Sequence, residues 1–467
     1  MTTRPTIRRI KVQKLHGHTN FEVVFNDKLN IIYGKNGRGK TTLLHIISNA
    51  LELDFARFGK LNFQLIEIEN SNNQIVSLSK NEKNDLPSIT IDGHESSFSS
   101  ENDELSQFEE SKLREILGAN STYLPAFRSV LERARISYYS AHRERRIPND
   151  FIERELNILR ESQREKGFLS YSPRSLRDTA TNIAEKTIRC RDWFGNFIPT
   201  IRYPSIADVE TGLEEELRLA QNAINRREQR MFRELFVNVF KSISSINDQK
   251  NYAKVEDLVK QIQTLILDQE DFLTEDSDEI LENIYSYASN ISEDDVRISS
   301  LLNVYKIALH ERKAARSEIF SNMRAFEQAV NVFLDAKQFK IGRTGGRFQR
   351  PHAPILVQPD DGQPYGLNSL SSGERQIITM LYSASRTPFS DGVFLIDEPE
   401  ISLHVDWQRD ILGEICKLHP DRQIIACTHS PEVGAEFSEY TQHFEPETAF
   451  DEDIDWDLLD IELEEDD

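Results

Sequence analysis

Eight consecutive residues, Gly34-Lys35-Asn36-Gly37-Arg38-Gly39-Lys40-Thr41, have the types and spacing that grip a polyphosphate. Glycines let backbone N–H groups close around phosphate oxygens, and a following helix adds the positive end of its dipole. Lys40 is expected to reach the outer phosphates and the Thr41 hydroxyl to hold Mg²⁺. Asn36, Gly37, Arg38, Gly39 and Thr42 complete the candidate cradle. Far along the chain, Phe394-Leu395-Ile396-Asp397-Glu398-Pro399-Glu400 is an apolar run ending in acids. Asp397 is expected to hold Mg²⁺ through water, and Glu398 to polarise an attacking water. A second apolar run, Gln423-Ile424-Ile425-Ala426-Cys427-Thr428, ends in His429-Ser430, where His429 is placed to sense a γ-phosphate. Together these residues suit hydrolysis of a phosphoanhydride.

Such residues need strands that end, and helices that begin, at one edge of a sheet. Leu29–Tyr33 reads as the strand before the glycine-rich loop, and Thr42–Ile47 as the start of the helix after it. Residues 6–33 read as three short strands. Phe63–Asn70 and Gln74–Lys80 alternate around Ser71-Asn72-Asn73 as a hairpin, with a further strand at Pro87–Gly93. Residues 94–106 read as a polar loop, Phe108–Gly118 as a short helix and Ile136–Arg143 as a strand. Leu370-Ser371-Ser372-Gly373-Glu374 precedes a helical run beginning at Arg375.

These motifs, in this order, resemble the ABC-type ATPase superfamily, and within it the soluble branch that includes RecF, SMC proteins and OLD-family nucleases. Leu370–Glu374 matches that family's signature, and Asp397-Glu398-Pro399 with Leu403-His404 and Gln408 is similar to the RecF/OLD branch. The resemblance covers roughly residues 1–146 and 336–440. It implies an α/β fold: a head with a mixed sheet carrying the P-loop and an antiparallel flanking sheet, interrupted by an α-helical insertion. It also implies two heads closing on two ATP molecules with Mg²⁺. Ser371, Gly373 and Glu374 of one head would then meet the nucleotide on the other. Two departures stand out. No glutamine is evident for the metal-contacting loop, where His142-Arg143 ends the expected strand. Leu15-His16-Gly17-His18 offers histidines where SMC-type heads often carry an arginine.

The expected domains are an N-terminal lobe (1–146), a helical or short coiled-coil insertion (147–335), a C-terminal lobe (336–448) and an acidic tail (449–467). In the insertion, Leu213, Leu217, Ala220, Ile224, Met231 and Leu235 recur at helical spacing, as do Leu301, Tyr305, Ala308, Ala315, Ile319, Met323, Phe326, Val330 and Phe333. The second run predicts a helix of ~40 residues, about 60 Å long. Strand signals return at Gln338–Ile341 and Ile355–Gln358.

The chain has 467 residues and a net charge of −22, enough for two or three lobes with real cores. Cys190, Cys416 and Cys427 show no pairing or metal spacing. With no signal peptide and no apolar run of membrane-spanning length, a cytoplasmic protein without membrane partners is expected. Residues 451–467 carry eleven acids and no base, interleaved with Ile454, Trp456, Leu458, Leu459, Ile461 and Leu463. This reads either as a solvated tail or as a segment that docks on a partner. Arg128, Arg133, Arg135, Arg143, Arg145 and Arg146, with Lys340, Arg343, Arg347 and Arg350, read either as salt-bridged surface or as a non-specific DNA contact.

No nuclease chemistry is evident, since 38 residues follow His429 and the Asp pairs near the end suit a solvated tail. A stand-alone OLD-like head resembles the ATPase subunits of bacterial antiphage systems, PARIS first and Septu second. That implies a homodimer or higher homo-oligomer, a separately encoded nuclease effector and a phage-derived trigger. The alternative is a RecF-like repair ATPase acting directly on DNA. A transporter's nucleotide-binding subunit fits poorly, because of the long helical insertion.

Overall fold

A computed structural model describes residues 5–80, 87–92, 94–96, 107–118, 121–128, 148–166, 173–244, 255–267, 296–342, 354–386 and 392–448. The chain divides into two compact units, 1–203 with 379–467, and 204–378. The expected strand Ile136–Arg143, the arginines at 133, 135, 143, 145, 146, 343, 347 and 350, and the acidic tail lie outside the described residues.

The first unit holds two sheets. Strands β1 (Ile7–Leu15), β2 (Thr19–Val24), β4 (Leu65–Asn70), β5 (Ile75–Ser79), β6 (Ser88–Ile91), β7 (His94–Ser96) and β14 (Glu447–Thr448) form an antiparallel sheet in the order β14-β2-β1-β4-β5-β6-β7. Alternation sets its inner face: Ile10 pairs with Ile68, Ile68 with Val76 and Val76 with Ile91, all buried. On the other face Arg9 Nε donates to its cross-strand partner Glu69 at 2.7 Å. The expected hairpin is present. Residues 94–96, expected as loop, instead add an edge strand to β6, because backbone pairing is open to polar residues at a sheet edge.

Strands β3 (Leu29–Tyr33), β8 (Thr122–Leu124), β11 (Phe394–Asp397), β12 (Ile424–Thr428) and β13 (Thr441–His443) form the second sheet, ordered β13-β3-β12-β11-β8 and parallel throughout. Their near-continuous apolar runs suit strands covered on both faces. Helix α1 (Lys40–Leu51) covers one face with Leu43, Leu44, Ile46, Ile47, Ala50 and Leu51 buried. Helix α2 is Gln107–Leu117. The Gln423 amide locks the two sheets together: it accepts from Ile7 N at 2.9 Å and donates to Ile7 O at 2.7 Å. The α/β class is as expected.

Helices α3 (Asn149–Lys166) and α4 (Pro173–Phe194) pack on each other through Leu156, Leu159, Leu176, Ala180 and Ala184. Beyond them Arg202 is buried between two carboxylates. It donates to Glu52 Oε2 at 2.6 Å and to Glu155 through bonds of 2.9 and 3.1 Å. Burial works against the guanidinium's charge, but Glu155 and Glu52 together raise its pKa above the usual value. Removing the cation strands two buried acids. Arg202→Met is therefore expected to destabilise the fold by about 3–5 kcal/mol, read as a lower urea midpoint. A midpoint within error of the parent would refute the triad's role.

In the second unit, α5 (Ile206–Ser244) and α7 (Val296–Asn331) pack as a pair, joined by Arg227–Glu318 at 3.0 Å and by Glu228 with Arg312 and Arg316 at 2.7 and 3.0 Å. α7 runs 36 residues straight through the charged His310–Lys313 stretch, close to the predicted length. Helix α6 (Val255–Leu267) packs on α7 through Ile262 and Leu309. Strands β9 (Lys337–Ile341) and β10 (Ile355–Pro359) pair antiparallel where the sequence signals them. The Asn331 amide binds both the N–H and the carbonyl of Phe339, at 2.7 and 3.0 Å, fixing α7 to β9. Helix α8 (Ser372–Arg386) starts in this unit and ends in the first. Helix α9 is Val405–Leu418. Among the described residues no helix is long and apolar enough to cross a membrane.

Candidate functional site

Residues 34–39 cross from the end of β3 to the start of α1. Gly37 and Gly39 have φ of +77° and +94°. A Cβ at either would meet nothing within 4 Å. Glycine is therefore set there by the backbone dihedral, not by crowding. Gly34 is crowded, since a Cβ would come within 2.9 Å of the Phe444 carbonyl oxygen. α1 has no capping side chain and no acid in its first turn, so its positive end is available to an anion. Asn36, Gly37 and Arg38 are exposed, Thr42 is half-buried and Lys40 is buried. The Lys40 ammonium curls over the loop and donates to the Gly34 and Lys35 carbonyls at 2.7 and 3.0 Å.

β12 lies between β3 and β11, so the loop and the acids emerge from the same edge of the parallel sheet. The Thr41 hydroxyl donates to Asp397 Oδ2 at 2.9 Å across 356 residues of sequence. Asp397 is buried, and its Oδ1 has no hydrogen-bond partner. A hydroxyl and a half-satisfied carboxylate fit a hard divalent cation such as Mg²⁺ that takes its remaining oxygens from water and phosphate. Among the described residues no cluster of three His, Cys, Asp or Glu side chains suits a metal, so a protein-only cage is not offered there. Beneath Asp397, Tyr123 on β8 hydrogen-bonds His45 of α1 at 2.9 Å. Burial holds that imidazole neutral, far below its ordinary range, and also raises the Tyr123 phenol, with the Asp397 charge adding to the rise.

Burial, reinforced by the Glu398 charge, raises Asp397 to about 6, while Thr41, Arg128 and Lys40 pull it down. The sign for stability follows from a folded value above the usual carboxylate range. The ligand-free fold holds its proton more tightly than the unfolded chain, so stability is lost as pH rises through about 6. Asp397→Asn removes that loss. Its nucleotide-free form is expected to melt higher than the parent at pH 7.5, by an amount equivalent to about 2–3 kcal/mol, with the gain shrinking towards pH 5. Calorimetry showing the parent more stable at both pH values would reject this.

Glu398 follows β11 in a left-handed conformation, φ +49°. Its N–H donates to Cys427 O at 2.8 Å. The fully buried Arg128 donates to the carbonyls of Asp397, Glu398 and Pro399 at 2.9, 2.8 and 3.0 Å, and to Pro125 O at 3.3 Å. A left-handed L-residue costs roughly 1–2 kcal/mol. Hydrogen bonds from a charged donor contribute about 1.5–3 kcal/mol each, so the guanidinium outweighs the strain. Burial lowers the pKa of Arg128. Arg128, grouped by the sequence with a surface cluster, is thus an interior residue. No local signal marks it, because three of its carbonyl partners lie about 270 positions away.

Glu400 ties this turn to the end of β12. Its Oε1 accepts from Thr428 Oγ1 at 2.6 Å and from the N–H groups of His429 and Ser430 at 3.0 and 3.1 Å. His429 Nδ1 lies 3.3 Å from Glu398 Oε1 and 3.1 Å from Glu400 Oε1, and the side chain is 43 % exposed. Ser430 Oγ donates to Gln408 Oε1 at 2.8 Å. One edge therefore gathers Lys40, Thr41, Asp397, Glu398 and His429. Glu400 belongs with them, signalled only by its place in the acidic run.

Ser371, Gly373 and Glu374 begin α8 in the second unit. Ser371 N donates to Glu374 Oε2 at 2.9 Å and Glu374 N to Ser371 Oγ at 3.3 Å, a reciprocal cap. Lys337 pairs with Glu374 Oε1 at 2.5 Å. Burial raises the Glu374 carboxyl, but Lys337 and Ser371 bring it below its usual range. Ser371 is exposed and Gly373 is buried. Glu374 thus shapes the helix start from below.

A family model described as AAA ATPase domain matches residues 6–433. The Retron Vc95 probable ATPase of Vibrio cholerae is 26% identical over 211 residues, 42% of this chain and 37% of that protein. The Retron Ec83 probable ATPase of Escherichia coli is 26% identical over 133 residues, covering 26% and 24%. A DNA double-strand break repair Rad50 ATPase of Methanopyrus kandleri is 42% identical over 45 residues, covering 10% and 5%. The chain therefore spans well under half the length of these relatives. An Smc head domain with an extended coiled coil, bound to the C-terminal domain of ScpA, from Pyrococcus furiosus, aligns over 92% of this chain and 91% of its own, at 14% identity and TM-score 0.39.

Proposed function

Because the chain belongs to the AAA ATPase domain family, we propose that it is an ATP-hydrolysing switch subunit of an antiphage complex. In this reading head dimerisation around ATP controls a separately encoded nuclease in response to a phage trigger. The observation that carries the ATPase part is the Thr41–Asp397 hydrogen bond, which joins loop and acid at one edge. Lys40 and the amides of residues 36–42 bind the phosphates. Glu398 orients and deprotonates the attacking water. His429, with its Nδ1 against Glu398 and Glu400, would sense the γ-phosphate. Thr41 and Asp397 would hold Mg²⁺, which would neutralise charge on the phosphates. The retron ATPases among the relatives support the defence assignment.

Dimerisation brings Ser371, with Gly373 two positions on, to the nucleotide on the second head. Ser371→Arg is expected to leave ATP affinity within about threefold while abolishing cooperative turnover. Turnover rising with the square of protein concentration in that variant would refute the arrangement. A pull-down from the native operon with ATP present tests the larger proposal. A stoichiometric nuclease supports it. Nucleic acid alone, with DNA-stimulated hydrolysis that falls steeply with salt, favours a RecF-like repair ATPase instead.

A further inference from the structure

The Glu398 turn has an unusual demand on it. The carbonyls of three consecutive residues, Asp397, Glu398 and Pro399, all converge on one buried guanidinium. Successive carbonyls of an extended strand point to opposite sides. Convergence therefore requires the chain to reverse, which Glu398 does at φ +49°. That reversal brings the Glu398 carboxylate to the His429 ring. The turn that carries the side chain is thus held from behind, by a cation bonded to its backbone carbonyls.

We propose that Arg128 is a positioning residue for hydrolysis, fixing the Glu398 turn by clamping its carbonyls from the interior. The inference rests on the reading of Glu398 as the residue that orients water. Only a planar fork meets this geometry. A guanidinium offers five donors spread in one plane, whereas an ammonium gathers three at a point. Arg128 also lies one turn beyond β8, whose strand pairs with β11. The clamp is therefore tied through β8 to the strand that carries the acids.

The test compares Arg128→Lys and Arg128→Gln with Glu398→Gln, each as the full chain. Nucleotide Kd, kcat and melting temperature are measured together. Both Arg128 variants are expected to bind ATP with Kd within threefold of the parent and to turn over at least tenfold more slowly. They should accumulate the ATP-bound species on sizing, as Glu398→Gln does. A folded Arg128→Lys chain with kcat within twofold of the parent overturns the proposal. Loss of ATP affinity in parallel with kcat also overturns it, because a general structural role would move both. If neither variant yields folded protein, Arg128 is a stability residue and the proposal fails. Full turnover by Glu398→Gln is a separate result: it removes the water-orienting role from Glu398 itself, whatever the Arg128 variants do.

Discussion

Lys40→Ala is expected to lower ATP affinity by about 100- to 1,000-fold and to remove measurable turnover. Lys40 is the cation enclosed by the loop, and its ammonium rests on the Gly34 and Lys35 carbonyls within the cradle. There it is held over the backbone at low entropic cost, ready to exchange a carbonyl for a phosphate oxygen. Charge-assisted bonds to phosphate are roughly twice as strong as neutral ones. Losing about 3–4 kcal/mol of them corresponds to the stated change in Kd. The side chain does not anchor the core, since α1 is held by Leu43, Leu44, Ile46 and Ile47. The variant should therefore melt within a few degrees of the parent. Isothermal titration with ATP and Mg²⁺ decides the matter: a Kd within threefold of the parent would sink the phosphate-binding assignment.

Glu398→Gln separates chemistry from binding. The change keeps the size of the side chain and the backbone that Arg128 and Cys427 hold, but it removes the proton acceptor. General-base catalysis contributes about 10²–10⁴-fold, so kcat should fall by that factor while Kd stays near the parent's. Nucleotide-bound dimers should then persist on sizing instead of opening. Because His429 Nδ1 also faces Glu400 Oε1, the histidine remains anchored in this variant. A Glu398→Gln chain turning over within threefold of the parent would falsify the role given to Glu398.

Short-range chemistry was legible in the residues alone. The glycine-rich loop, the acids after an apolar strand and the α5 and α7 stripes each depend on neighbours within a few positions. Periodicity and local hydrogen bonding are written at that range. Burial and long-range pairing are not. Arg128 reads like the other arginines of its sequence cluster until the folded chain brings three carbonyls to it. Arg202 likewise reads as an ordinary cation until Glu52 and Glu155 meet it in the interior. Strands β8 and β13 are three residues each, too short for an alternation signal, yet they complete the parallel sheet.

By itself the sequence determined the chemistry on offer: a phosphate-binding loop, two acids and a histidine, with the strands and helices that end beside them. Only the tertiary structure decided that β12 separates β3 from β11, and that Thr41 meets Asp397 across 356 positions. It alone decided that the Glu398 turn is held from within by Arg128. The reason is physical. Residue type and spacing set local conformation and reactivity, whereas the charge a buried group faces depends on which distant segments the packed core brings against it.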